Sequence, residues 1–142
     1  MLRPAARQAI EEQPIPRPIH FEIQAENVER AIAFYGELLG WEFSQWGKEP
    51  YWLVKTGEKG TPGIDGGLMP RRGGSPADMQ PVNAFVCTVD VAALDAMVKR
   101  VMDLRGSIAL PRMPIPTVGW LAHAKETEGN IFGIMQMDAN AK

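Results

Sequence analysis

The sequence predicts an α+β fold built from one supersecondary unit used twice, and two observations carry that prediction. The stretch Glu128-Gly129-Asn130-Ile131-Phe132-Gly133-Ile134-Met135-Gln136 reads as a turn feeding a strand, and Gly63-Ile64-Asp65-Gly66-Gly67-Leu68-Met69 echoes it. With Gly63 set on Gly129, Gly67 falls on Gly133, Leu68 on Ile134 and Met69 on Met135. The flanking segments repeat in the same order: Trp52–Thr56 pairs with Trp120–Ala124, and the two first strands begin 64 residues apart, at His20 and Ala84. A unit of this kind cannot bury its sheet alone. The expected architecture is therefore two βαβββ modules, with curved mixed sheets around a central cleft and helices outside.

The elements justify themselves in chain order. Residues 1–17 are polar and punctuated by Pro14 and Pro16, which reads as an N-terminal arm with at most a short helix over Ala5–Glu12. Ile19–Ala25 alternates, with Ile19, Phe21 and Ile23 on one face and His20, Glu22 and Gln24 on the other, as a half-buried strand does. Asn27 is a good helix N-cap, Val28, Ala31, Ile32, Tyr35, Leu38 and Leu39 follow helical spacing, and Gly40 stands where a helix-ending glycine belongs. Trp41–Trp46 and Trp52–Thr56 read as strands around a turn, and Ile64–Met69 as a glycine-softened strand. Module one is thus 18–72, and 73–80, with Gly73-Gly74-Ser75-Pro76, is a linker.

Module two is expected over 81–138. Pro81–Val89 is rich in strand formers, Asp90 is placed to cap a helix through Val91, Leu94, Val98 and Val101, and Gly106 closes it. Ser107–Leu110 reads as a strand, and Pro111–Thr117, with its three prolines, as a stiff extended loop. Gly119–Lys125 and Ile131–Met137 are the last two strands.

Composition narrows the function classes. A chain of 142 residues, 45% hydrophobic and 23% charged, suits one soluble domain with a sizeable core. A net charge of −2 with no basic run disfavours nucleic acid as a partner. No segment reaches the roughly 18 apolar residues of a membrane span. The N-terminus lacks the apolar stretch of a signal peptide, so a cytoplasmic location is the expectation. The lone Cys87 rules out an internal disulfide framework. It lies in an apolar strand with no basic neighbour in sequence, which predicts a buried thiol rather than a nucleophile.

The pattern resembles the vicinal oxygen chelate superfamily, which includes glyoxalase I, bleomycin-resistance proteins, fosfomycin-resistance enzymes and extradiol dioxygenases. His20-Phe21-Glu22-Ile23, Ala31-Ile32-Ala33-Phe34-Tyr35 and Leu39-Gly40-Trp41 carry the likeness in the first half. Thr88-Val89-Asp90-Val91, Gly119-Trp120-Leu121-Ala122 and Glu128-Gly129-Asn130-Ile131-Phe132-Gly133 carry it in the second. The bacterial glyoxalase-like branch is the nearest in pattern. The resemblance implies a homodimer that binds a small molecule.

It also implies a divalent-metal site drawn from the first and last strands of each module. Those positions here are His20, Gly67, Ala84 and Gly133, and only His20 has a ligating side chain. A catalytic metal site takes about three protein ligands, so no metal or other cofactor is expected. The small residues would instead open the cleft floor to a flat or bulky organic ligand. The expected ligand-binding residues are His20, Glu22, Gln24, Trp52, Trp120 and His123, with Glu22 the candidate general base and the two tryptophans either aromatic walls or symmetric core. Trp41, Trp46 and Tyr51 read as core or rim residues. Three functions remain open at this point. One is a metal-free small-molecule-binding protein or enzyme. The second is a metal-dependent lyase, isomerase or dioxygenase using His20 with substitutes such as Glu22 and His123. The third is a resistance-type protein that sequesters its ligand.

Overall fold

The structure, a computed structural model, describes residues 15–77, 79–82 and 85–142. The arm's residues 1–14, with the short helix expected there, and Ala84 lie outside the described residues. The described chain carries eight strands and two helices, an α+β fold with mixed strand pairing. It divides into two compact units, Pro18–Thr88 and Val89–Lys142, the latter including the described residues before Pro18.

The first unit holds β1 (Pro18–Ala25), α1 (Val28–Leu39), β2 (Glu42–Gln45), β3 (Trp52–Lys55) and β4 (Gly66–Pro70). Its strands lie in the order β2-β3-β4-β1. β1 and β4 run parallel, with Phe21 opposite Gly66, Glu22 opposite Gly67 and Ile23 opposite Leu68. The other pairs are antiparallel, and Leu53 faces Gly67 across β3–β4. One face of this sheet is the core. Phe21, Ile23, Ala25, Val54 and Leu68 are buried there, with Val28, Ala31, Ile32 and Tyr35 of α1 packed on them. Phe21, Tyr35, Trp41 and Phe85 add ring contacts at 5.3–6.2 Å. Ile19, expected on this face, is exposed at the strand's start. The helix ends as its sequence predicts. Asn27 Oδ1 accepts from the Arg30 N–H at 2.9 Å, and Gly40 ends the helix with φ +74°.

The chain passes into the second unit within β5 (Val86–Asp90). There follow α2 (Leu94–Asp103), β6 (Ser107–Ile115), β7 (Gly119–Lys125) and β8 (Ile131–Met137), with the order β8-β7-β6. Leu94, Ala122, Ala124 and Ile134 form its core, covered by Met97, Val98 and Val101 of α2.

Four local expectations are corrected here. Asp90 does not cap α2. The N-cap position is Ala93, with no side-chain bond, and the Leu94 N–H is taken instead by Gln136 Oε1 at 2.9 Å. A long-range amide thus does the work of a local cap. At the other end the left-handed residue is Arg105, φ +71°, not Gly106. Gly106 is needed for closeness, because a β-carbon there would press on Val101 and on the Lys125 carbonyl. The proline-rich stretch expected as a loop continues β6 as far as Ile115, with register shifts between Ile108 and Met113. Prolines fit because β6 is the outermost strand of its unit, where a missing N–H costs no ladder bond. Cys87 is exposed rather than buried. Among the described residues no helix is long and apolar enough to cross a membrane.

Candidate functional site

Strand alternation builds the site. Because Phe21 and Ile23 go to the core, His20, Glu22 and Gln24 share the opposite, helix-free face of β1, and all three are half-buried. The parallel register sets Gly67 opposite Glu22, so a side chain at 67 would project from that same face. The space is already filled. A β-carbon on Gly67 would overlap the hydroxyl and ring of Tyr51. Tyr51 comes from the β2–β3 hairpin, whose turn is closed by the Trp46 N–H on the Tyr51 carbonyl at 2.9 Å. Its hydroxyl lies 2.7 Å from His20 Nε2, and the two rings are nearly parallel, at 13°. Trp46 meets the Tyr51 ring edge-on at 6.1 Å.

The electrostatics follow from burial and from two carboxylates. Burial lowers the His20 pKa below the usual histidine value, against the pull of Glu22 and Asp65. Burial also pushes the Tyr51 phenol well above its ordinary range, and the nearby Glu22 carboxylate adds to the rise. Both rings are therefore neutral at pH 7. Asp65 is tied to Thr56, whose N–H and hydroxyl lie 2.8 and 3.2 Å from Oδ1. At the far end of β1, Arg71 donates to the Gln24 carbonyl at 2.9 Å, and the Arg72 N–H reaches Gln24 Oε1 at 3.4 Å. Two shallow hollows, of about 330 and 370 Å³, flank this strand. The first is lined by Ile19 and the 56–65 loop, the second by Gln24, Arg71 and α1. Neither of these two hollows is lined by His20, Glu22 or Tyr51.

The other expected site residues divide. Trp52 faces Leu68 and packs on the first core, on the face opposite His20. Trp120 packs on the second core, donates its indole N–H to Asp138 at 3.1 Å and carries the Arg112 guanidinium 4.3 Å from its ring centroid. Both tryptophans are thus partly buried and pack against a core. His123 lies opposite Gly133 and Leu110, on the helix-free face of the second unit. Tyr51 is the residue that sequence reasoning passed over. The signal was present: it precedes the core residue Trp52, so alternation turns it to the other face, toward Gly67.

The family's metal finds no fit in the first unit. At its two positions there, Gly67 offers no donor and its side-chain space holds Tyr51, while His20 Nε2 is engaged by the phenol. Gly133 is buried and likewise without a donor, and Ala84 lies outside the described residues. Among the described residues no three His, Cys, Asp or Glu side chains form a group able to hold a metal ion.

Comparison with known proteins agrees with the fold. Residues 17–57 match the family model described as bleomycin resistance protein-like N-terminal. A glyoxalase/bleomycin resistance protein/dioxygenase superfamily member from Vibrio splendidus 12B01 superposes with a TM-score of 0.57 at 16% identity, over 87% of this chain and 99% of that one. Methylmalonyl-CoA epimerase from Mycobacterium tuberculosis gives 0.57 at 14%, over 92% and 95%. A Legionella pneumophila protein described as NAD-dependent benzaldehyde dehydrogenase gives 0.57 at 15%, over 84% and 98%. No curated protein sequence matches the chain. The fold is glyoxalase-like. Together with the family-model match it supports the vicinal oxygen chelate superfamily, as the sequence motifs had implied. The differing descriptions of these three structures show why the fold alone does not name an activity.

Proposed function

We propose that this protein binds a small organic molecule on the helix-free face of β1 without the divalent metal usual in the superfamily. The observation that carries this reading is Tyr51, which fills the side-chain space of Gly67 and engages His20. His20, Glu22 and Gln24 supply the polar contacts, and Glu22 is the group placed to exchange a proton with a bound ligand. We also propose, from family resemblance, that the protein is a homodimer; a monomeric mass in light scattering would remove that proposal.

The test is a screen of small polar molecules by tryptophan fluorescence, on protein dialysed against chelator. A ligand should emerge whose affinity is the same with and without chelator and falls in His20→Ala and Glu22→Gln. Ligands that bind only after zinc, nickel, manganese or iron is restored would overturn the proposal.

A further inference from the structure

We infer that the hollow beside the start of α1 is a second ligand site. It takes a small aromatic oxyanion, a carboxylate or phosphate held by Arg30 and Arg71 with its ring against Phe34. Neither His20, Glu22 nor Tyr51 lines this hollow, so the inference stands apart from the metal-free reading of the β1 face.

The topology brings the two arginines to one place. β1 and β4 run parallel and end side by side, with Ala25 opposite Pro70. The chain leaving β1 turns at Asn27 into α1, and the chain leaving β4 runs on into Arg71. Arg30 and Phe34 stand one helical turn apart on α1 and so share a face. Together with Arg71 they line a hollow of about 370 Å³, within the range of small-molecule pockets. The segment after β4 is fastened to its neighbours. The Arg71 N–H donates to the Ala25 carbonyl at 2.9 Å, the Arg72 N–H to Gln24 Oε1 at 3.4 Å, and the Ser75 hydroxyl to Glu26 Oε2 at 2.6 Å.

The chemistry follows from the hydrogen bonds that are not made. A guanidinium has N–H donors on every nitrogen and no acceptor. Arg71 uses Nη2 on the Gln24 carbonyl at 2.9 Å, while its Nε is buried without a partner. Buried donors are rarely left unmet. Its Nη1 remains for an incoming acceptor. Arg30 is exposed and bonds only through its backbone N–H, which the Asn27 side chain takes. The helix end is thus already capped, and what it offers a ligand is the Arg30 guanidinium. Among the described residues neither arginine has an ion-pair partner. Glu26 is the one carboxylate on the lining, and its Oε2 is taken by Ser75. The lining therefore carries two positive charges against one negative, with donors in excess. A carboxylate or phosphate supplies both the missing charge and paired acceptors in the plane that a guanidinium fits. An amine would meet like charge instead. Phe34, 59% exposed on the same lining, gives the ligand's ring an apolar surface.

The test is an NMR titration of the full chain with phenyl phosphate, benzoate, inorganic phosphate and benzyl alcohol, read at the backbone amides of residues 24–31 and 71–75. Phenyl phosphate or benzoate should shift these amides, the tighter of the two naming the head group. That anion should bind at least about tenfold tighter than benzyl alcohol, a difference of about 1.4 kcal/mol. It should also bind more tightly than inorganic phosphate, and Phe34→Ala should remove that margin. Its affinity should fall at least about fivefold in Arg30→Gln and in Arg71→Gln. Arg30 makes no side-chain bond, so Arg30→Gln keeps the fold and carries the test should Arg71→Gln unfold. Benzyl alcohol or inorganic phosphate binding as tightly as the better aromatic anion, silence of these amides toward all four probes, or undiminished affinity in Arg30→Gln would each overturn the inference.

Discussion

On the helix-free face of the first module stand His20, Glu22, Gln24 and Tyr51; on the matching face of the second, Met113 pairs with Leu121 and Leu121 with Met135, Leu110 pairs with His123, and Lys125 lies towards the strand end opposite Ser107. The opposite faces, by contrast, are built alike. Each buries a short apolar set under one helix, Phe21, Ile23, Val54 and Leu68 in the first and Leu94, Ala122, Ala124 and Ile134 in the second. The repeat has therefore kept its core and let its open faces part, the first polar along β1 and the second apolar around Leu110, Met113, Leu121 and Met135. At Gly67 a tyrosine fills the side-chain space. The ligand site proposed above therefore draws on the first module.

The comparison can be broken most forcefully at the cores. Leu68 and Ile134 are both fully buried. Leu68→Ala and Ile134→Ala should each cost about 2–5 kcal/mol in denaturant unfolding. A cost below about 1 kcal/mol at either position would end the claim that the two cores do equal work. Gly67→Ala comes next. Its β-carbon meets Tyr51, which predicts a loss of about 1–3 kcal/mol. Most of that loss should vanish in a Tyr51→Ala background, giving a coupling of about 0.5–3 kcal/mol in the double-mutant cycle. Strict additivity would mean that Tyr51 does not occupy the residue-67 space.

Helix starts sharpen the comparison at a smaller scale. α1 is capped locally by Asn27, and α2 from a distance by Gln136. Asn27→Ala and Gln136→Ala should each cost about 1 kcal/mol, while Asp90→Ala, which removes a residue that caps nothing, should leave α2 unaffected. The smallest effect is electrostatic. Burial lowers the folded-state His20 pKa, so the unfolded chain binds the proton more readily. Stability from this group is full above the unfolded value of about 6.5 and is lost as pH falls below it toward the folded value. Unfolding measured across that window should show a decline that His20→Gln flattens.

Much of this was legible in the sequence because strands and helix ends write local signals. Period-two alternation in Phe21–Ala25 gave the polar face, and Asn27 and Gly40 marked both ends of α1. What was hidden depended on partners distant in sequence. Gln136 capping α2 cannot be read from its neighbours. Pro111 and Pro114 look like loop residues until β6 is known to be an edge. The facing of Trp52, Trp120 and His123 needed the register, and so did Tyr51, whose meaning exists only because Gly67 lies beneath it.

The central claim is that Tyr51 stands where the superfamily's metal ligand would be. The most direct measurement is the metal content of the full chain, grown with zinc, nickel, manganese and iron supplied and purified without chelator, determined by plasma mass spectrometry beside His20→Ala. The account predicts no stoichiometric metal in either protein. About one metal ion per chain, lost in His20→Ala, would contradict it.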